Sequence, residues 1–490
     1  MDQNRETISD LVKIDGITTT LTLTYAGKLS WNDGGCHRSL TIEKEVLGFS
    51  IQGSRIFLKT IVDKSDASCC IGDNKTDPIR KSFVFEPLSE SSLQLWSNMI
   101  RQKLDSLEGR PKKLLILVNP FGGRKSALKI FAGDVKPLLD DANILFTMKE
   151  TRHQLHAKEI ASTIDLSIYD GIVCVSGDGV LVEVVNGLME REDWESAMKM
   201  PLGVVPAGTG NGMAKSLLDT VGQPCTALCA VLAIIRGHKR SLDVATILQG
   251  EARFYSVLML AWGLVADIDI ESERFRWMGS ARMDFYALLR IFHLRTYNGH
   301  VYFVPAPGYE AFGDKLRRQN VECSGDFCTL GPNNELPIKI QQHGYRQSIV
   351  NLQNLKWRKI DGPFVSVWLH NVPWGSEDTM AAPDAKFADG YLDLIIMRTC
   401  SKLSLLALMI ELNNGNHVKS PDVLYLKVKA FILEPGSQTA DPSKEGIIDS
   451  DGEVLARGKG TYKCKQKTLM TYDRLQITVD QGLATLFSPI

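Results

Sequence analysis

The chain has 490 residues, 44% of them apolar and 23% charged, enough apolar content to bury real cores and, at roughly 150 residues per domain, length for about three domains. Lys plus Arg number 56 against 57 for Asp plus Glu, a net charge of -1, which excludes a disordered polyelectrolyte and the global basic field on which nucleic-acid binding depends. The longest apolar stretches, Ala227 to Ile235 and Val257 to Ala266, fall short of the roughly 18 residues a membrane-spanning helix needs. The opening MDQNRETISD carries no apolar run, no arginine-rich amphipathic segment and no lipidation motif, so a cytoplasmic setting is expected. The ten cysteines include no CxxC pair and read as reduced thiols.

Ile17 to Tyr25 alternates apolar residues with threonine, and SLTIEKEVLGFSI, RIFLKTIV and KSFVFEP continue in strand character. Leu93, Trp96, Ile100, Leu104 and Leu107 then fall on one helical stripe, so residues 1–110 are expected to form a small β-domain closed by a helix. After the linker EGRPKK, the runs LLILVNPFGGRKSALKIF, GIVCVSGDGVLVEVVNGLM and PLGVVPAGTGNGMAKSLL each read as buried strand, glycine turn and helix, which predicts an α/β domain over 111–240. Residues 241–490 switch to strand-rich text expected to be antiparallel, in a sandwich, with helices near Arg282 to Leu294 and Leu403 to Leu412. Pro305 to Trp357 reads as a flexible surface insertion.

Glycines at the carboxyl ends of buried strands let a backbone approach an anion, and the following helix N-termini favour negative charge, so a nucleotide phosphate is the expected ligand of that edge. The turn Gly122-Gly123 taken alone is as well explained by geometry; three turns at one edge are not. Neither a Walker A motif nor a dinucleotide-binding fingerprint occurs. In Ser176-Gly177-Asp178-Gly179 an acid stands where phosphate would bind, which suits a general base taking the proton of an attacking hydroxyl. Glu183 lies one turn into the next helix, where binding Mg²⁺ or a ribose hydroxyl and complementing the helix dipole are equally good readings. AWGLVADID sets an apolar run beside Asp267 and Asp269, expected to alternate outward from a strand end, as a cationic amine on a long alkyl chain would require. Both acids paired with Arg274 or Arg276 is the plainer alternative.

NPFGGRKSA, SGDGVLVEVVNGLMERED and PLGVVPAGTGNGMAKSL resemble the nucleotide-binding blocks of the diacylglycerol-kinase-like lipid kinases, and the whole from Lys112 onward is most similar to the sphingosine kinases among them. That resemblance implies transfer of the ATP γ-phosphate to the primary hydroxyl of a sphingoid long-chain base. The implied fold is an α/β ATP-binding domain plus an antiparallel β-sandwich lipid-binding domain. It implies Asp178 as base, with Ser176, Gly177, Gly179 and Asp269 at the substrate. The implied nucleotide contacts are Asn119, Pro120, Phe121, Gly122, Gly123, Thr151, Arg152, His153, Gln154, Leu155, Glu183, Gly208, Thr209, Gly210, Arg276, Arg282, Asp451, Gly452 and Glu453. Asp451 would also face Mg²⁺.

Lys125 departs from the family, which often has a further glycine there. The N-terminal β-domain resembles a PH-like fold found in plant and fungal relatives; its first hairpin has Lys28 as essentially its only cation, which favours a structural or weak membrane-docking role. Peripheral contact with a membrane, endomembrane or vacuolar, and with anionic lipid is expected, and a homodimer is left open. Rival readings are a ceramide or diacylglycerol kinase, a dinucleotide kinase, and a catalytically silent lipid-binding protein. Asp269 favours a free amine, and the intact Asp178 speaks against the silent reading.

Overall fold

A computed structural model describes residues 7–33, 35–62, 78–123, 125–279, 281–315, 344–345, 355–462 and 468–490. The first sheet holds β1 (Ile8–Ile14), β2 (Ile17–Leu23), β3 (Lys28–Asp33), β4 (Cys36–Thr41), β5 (Val46–Gln52), β6 (Arg55–Val62) and β7 (Ile79–Pro87), in the order β4-β3-β2-β1-β7-β6-β5. All its pairings are antiparallel. Period-two alternation puts Leu21, Leu23, Leu29 and Trp31 inside. Helix α1 (Glu90–Asp105), capped by the Ser89 hydroxyl on the Ser92 N–H at 3.1 Å, covers them with Leu93, Trp96, Ile100 and Leu104.

Next come β8 (Lys113–Val118), β9 (Leu145–Glu150), α2 (His156–Thr163), β10 (Gly171–Ser176), α3 (Asp178–Met189), β11 (Leu202–Pro206), α4 (Gly212–Asp219) and α5 (Ala227–Arg236). The strands run parallel in the order β9-β8-β10-β11. Every residue of β10 is buried, as a strand covered on both faces by helices requires. Because β8 is followed on one side by β9 and on the other by β10, strand order reverses between β8 and β10. A crevice opens at such a point beyond the carboxyl ends.

The second half contains β12 (Lys239–Gln249), β13 (Ala252–Ser256), β14 (Met259–Gly263), α6 (Leu264–Glu271), α7 (Ala281–Phe292), β15 (Tyr297–Pro305), β16 (Asp314–Lys315), β17 (Arg358–Asp361), β18 (Ser366–His370), β19 (Trp374–Ser376), β20 (Thr379–Met380), β21 (Leu392–Met397), α8 (Lys402–Glu411), β22 (Val423–Gln438), β23 (Ile447–Ser450), β24 (Glu453–Arg457) and β25 (Leu475–Phe487). Its pairings are antiparallel, as expected, and β25 joins the halves by pairing with β12, β22 and, in parallel at Leu202 and Leu486, β11. Helices α6, α7 and α8 cover an apolar cluster that includes Ala261, Leu264, Ile291, Trp368, Leu405, Leu408 and Ile447.

Two expectations need revision. LVADIDIE is helix α6, not a strand end, because Gly263 at φ +90° turns the chain out of β14 and both sides of the segment find apolar neighbours. Asp267 and Asp269, two residues apart on a helix, therefore face different surroundings instead of one. Within the expected insertion, 316–343 and 346–354 lie outside the described residues, but Tyr345 returns to the core, its N–H bonded to the Met189 carbonyl at 2.9 Å and its ring against Trp194.

Candidate active site

The glycine turns after β8, β10 and β11 meet at the crevice. Gly123 has φ +52°, and a Cβ there would lie 2.8 Å from the Gly208 carbonyl carbon. A Cβ on Gly208 would lie 2.3 Å from the Gly177 Cα. Three backbones thus pack with no side chain between them, leaving a floor that a polyanion can approach closely. Asn119 shapes the first turn by accepting the Phe121 N–H at 3.0 Å, and leaves the Phe121 ring exposed at the rim beside Pro120. Lys125 takes a left-handed φ of +58°.

Asp178 accepts the N–H groups of Gly212 at 2.8 Å and Met213 at 2.9 Å, so its carboxylate sits on the N-terminus of α4. Burial pushes its pKa up, the two amides pull it down, and Glu377 adds to the rise. With two of about four lone-pair positions used, it can still accept a proton from a hydroxyl. Beside it Gly210 presents no side chain; a Cβ there would lie 3.5 Å from Asp178 Oδ2. Ser176 is buried, its hydroxyl donating to the Gly177 carbonyl at 2.6 Å.

Asn211 and Glu377 were not singled out by the sequence. Asn211, left-handed at φ +58°, accepts the Gly208 N–H at 2.9 Å and donates to Glu377 Oε1 at 2.6 Å. The Glu377 N–H returns to the Gly210 carbonyl at 2.8 Å, so the β19–β20 hairpin of the second half braces the third turn, Gly208 to Gly210 with Thr209. The signal for Asn211 was its type between two glycines, since Asn tolerates the left-handed region.

Glu183 accepts the N–H groups of Leu155 and Ala157, each at 3.0 Å, and so fixes the turn Thr151 to Leu155 at the start of α2. What it touches is the start of α2, not the N-terminus of its own helix. Thr151 is buried on the Val118 carbonyl, and the Arg152 N–H meets His156 Nδ1 at 3.0 Å. His153 is exposed, and Gln154 reaches across to Glu453 at 2.7 Å.

The late acidic turn lies opposite. Asp451, at φ +55°, accepts the N–H groups of Val257 at 3.0 Å, Leu258 at 2.9 Å and Met259 at 2.6 Å, while Gly452 completes the turn at φ +81°. Burial lifts the Asp451 carboxyl to about 6 and the Glu453 carboxyl to about 7. Asp451 thus clamps backbone, and with the Ser256 hydroxyl also on it its lone pairs are nearly all taken, so it could face a cation but not cage one. That fits a magnesium ion carried mainly by nucleotide phosphates, the usual case for this ion, and not one caged by this chain.

Asp267 is paired with Arg290 at 2.9 Å and accepts the Tyr297 hydroxyl at 2.5 Å, which anchors α6. Asp269 is half-buried and faces Asp449 and Arg282; burial raises its pKa, and a hydrogen bond with Asp449 and then the charge of Arg282 oppose the rise. Arg282 is itself buried at the start of α7. The Arg276 side chain lies outside the described residues.

Residues 113–247 match the diacylglycerol kinase catalytic domain and residues 354–471 the YegS C-terminal NAD kinase beta sandwich-like domain. The chain is 60% identical to sphingosine kinase 1 of Arabidopsis thaliana, over 98% of this chain and 96% of that protein. It is 58% identical to sphingosine kinase 2 of the same plant, over 98% and 97%. A solved structure from Bacillus anthracis str. Sterne, named for diacylglycerol kinase, covers 79% of this chain and 98% of its own at 19% identity and a TM-score of 0.50, a likeness of fold.

Proposed function

This chain belongs to the sphingosine kinases, within the diacylglycerol-kinase-like lipid kinases, and from that membership we propose that it phosphorylates the primary hydroxyl of a sphingoid long-chain base with ATP, giving the base 1-phosphate. The observation that carries the reading is the glycine floor of Gly123, Gly177 and Gly208 with the Asp178 carboxylate beside it.

In this reading the polyphosphate lies on the floor, with the turn Asn119 to Gly123, Thr151 to Leu155 and Gly208 to Gly210 around the nucleotide and Arg282, Gly452 and Glu453 at its far edge. Asp178 orients the substrate hydroxyl and takes its proton as the oxygen bonds to the γ-phosphorus and the bond to ADP breaks. Magnesium, facing Asp451, would neutralise the phosphate charge. Ser176, Gly177 and Gly179 border the acceptor, Asp269 receives the protonated amine, and the alkyl chain enters the apolar cluster under α6, α7 and α8. Glu183 acts as a positioning residue for the nucleotide turn.

The domain division 1–110, 111–240 and 241–490 is part of the proposal. So is peripheral attachment to a membrane. Phe292 on α7, Leu403 and Ile410 on α8, and Trp277 in the segment between α6 and α7 are exposed, with Lys402 on α8 bonded to the Phe292 carbonyl at the end of α7. Among the described residues no helix is long and apolar enough to cross a membrane. The test is phosphate transfer from labelled Mg-ATP to sphingosine, phytosphingosine, ceramide and diacylglycerol in mixed micelles. Label on the free bases is the expected result; label confined to ceramide or diacylglycerol overturns the substrate class.

A further inference from the structure

Asp449 is 0% exposed; its one hydrogen-bond partner is the facing carboxyl of Asp269, and neither of its oxygens meets a donor from any other group. The charged groups bearing on it most are Asp269, then Asp451 and Glu453, all acidic. Its position follows from strand geometry. On β23, Ile447 and Asp449 share a face, and Asp449 stands opposite Ala261 on β14, so all three point to one side of the sheet. Ala261 and Ile447 belong to the apolar cluster under α6, α7 and α8, and α6 packs on β23. Asp449 therefore lies on the side of the sheet that α6, α7 and α8 cover, facing Asp269.

A buried carboxyl whose sole partner is another acid is costly, and two acids face each other here. Arg282 bears on Asp269; Asp449 has acids for neighbours. A primary ammonium supplies three N–H donors and a positive charge, enough for both acids at once. An acylated amine supplies one N–H and no charge, and leaves at least one acid unpaired.

We propose that Asp449 and Asp269 form a two-carboxylate seat for the protonated amine of the substrate, and that Asp449 sets the preference for a free amine over an acylated one. The inference rests on the free-base reading above and adds to it a specificity residue that the family motifs did not mark.

The test compares full-length wild type with Asp449→Asn and Asp449→Ser, using sphingosine and ceramide in mixed micelles with Mg-ATP. The KM for sphingosine is expected to rise about tenfold or more, exceeding any fall in kcat, as loss of an acceptor to a cationic donor implies. The KM for ATP stays within about twofold, and the ligand-free protein melts no lower than wild type, because a buried acid whose sole partner is another acid has been removed. An unmoved sphingosine KM in both variants overturns the inference, as does a shift in the Mg²⁺ requirement in place of the sphingosine KM. A lowered melting temperature with kcat and both KM values moving together makes Asp449 structural and equally overturns it. Wild type that phosphorylates ceramide and no free base sinks the underlying reading as well; wild type active on bases with unmoved variants sinks this inference alone.

Discussion

Gly177 and Gly208 are in backbone contact: a Cβ added to Gly208 would stand 2.3 Å from the Gly177 Cα and 2.7 Å from its nitrogen. Neither atom belongs to a side chain that could turn aside, so the second and third turns must separate to admit even a methyl group. Gly208→Ala is expected to destabilise the fold by about 1–3 kcal/mol and to raise the KM for ATP at least tenfold, the floor having opened. Thermal unfolding and ATP titration check both; a variant that uses ATP like wild type contradicts the proposed phosphate floor.

Glu183 holds the Leu155 amide of the nucleotide turn and the Ala157 amide of α2, each at 3.0 Å. Glu183→Ala is expected to cost about 1.5–3 kcal/mol of stability and to raise the KM for ATP more than it lowers kcat. Glu183→Gln, which keeps one acceptor oxygen, should recover part of the loss. Equal effects on kcat and kcat/KM in both variants would give Glu183 a direct part in the transition state instead.

The glycine floor was legible because strand, turn and helix repeat three times with continuous Leu, Ile and Val before each glycine pair or triplet. The apolar stripe of α1 was equally plain. What was not legible depends on partners far along the chain. Asp178 was marked by its motif, but its grip on the α4 amides joins residues 34 and 35 positions apart. Glu377 enters through a hairpin from the other half. The apolar run before Asp267 and Asp269 suits a strand that would set both acids outward, and only packing on both sides makes it a helix. Asp449 left one weak signal: in IIDSDGE an acid falls on the inward side of a strand, where an apolar residue is the rule.

Asp243 is buried and accepts the N–H groups of Gly390 and Gly482, each at 2.7 Å. Burial, reinforced by Asp389 and Asp480, lifts its pKa to about 6. The unfolded value is about 3.9, so between the two the folded chain keeps a proton that the unfolded chain has released. The stability this group contributes is complete below about pH 4 and is lost as pH rises through 6. Wild type should therefore gain roughly 2 kcal/mol relative to Asp243→Asn between pH 7.5 and pH 4.5, read from urea unfolding at each pH. A pH-independent difference would show that Asp243 ionises normally.

Trp277 is 82% exposed, Leu403 78% and Ile410 72%. If these side chains enter a bilayer, the triple variant Trp277→Ala, Leu403→Ser, Ile410→Ser is expected to lose at least about tenfold in affinity for phospholipid vesicles by co-sedimentation, with an unaltered circular dichroism spectrum. Undiminished vesicle binding would move the attachment surface elsewhere.

In the proposed reaction Asp178 activates the hydroxyl of a sphingoid base over the glycine floor. The most direct measurement is the rate of label transfer from Mg-ATP to sphingosine by wild type and by Asp178→Asn, with ATP binding followed in both. The expected result is transfer by wild type and a fall of about 10²-fold or more in the variant, which still binds ATP. Transfer by the variant at the wild-type rate would contradict the account.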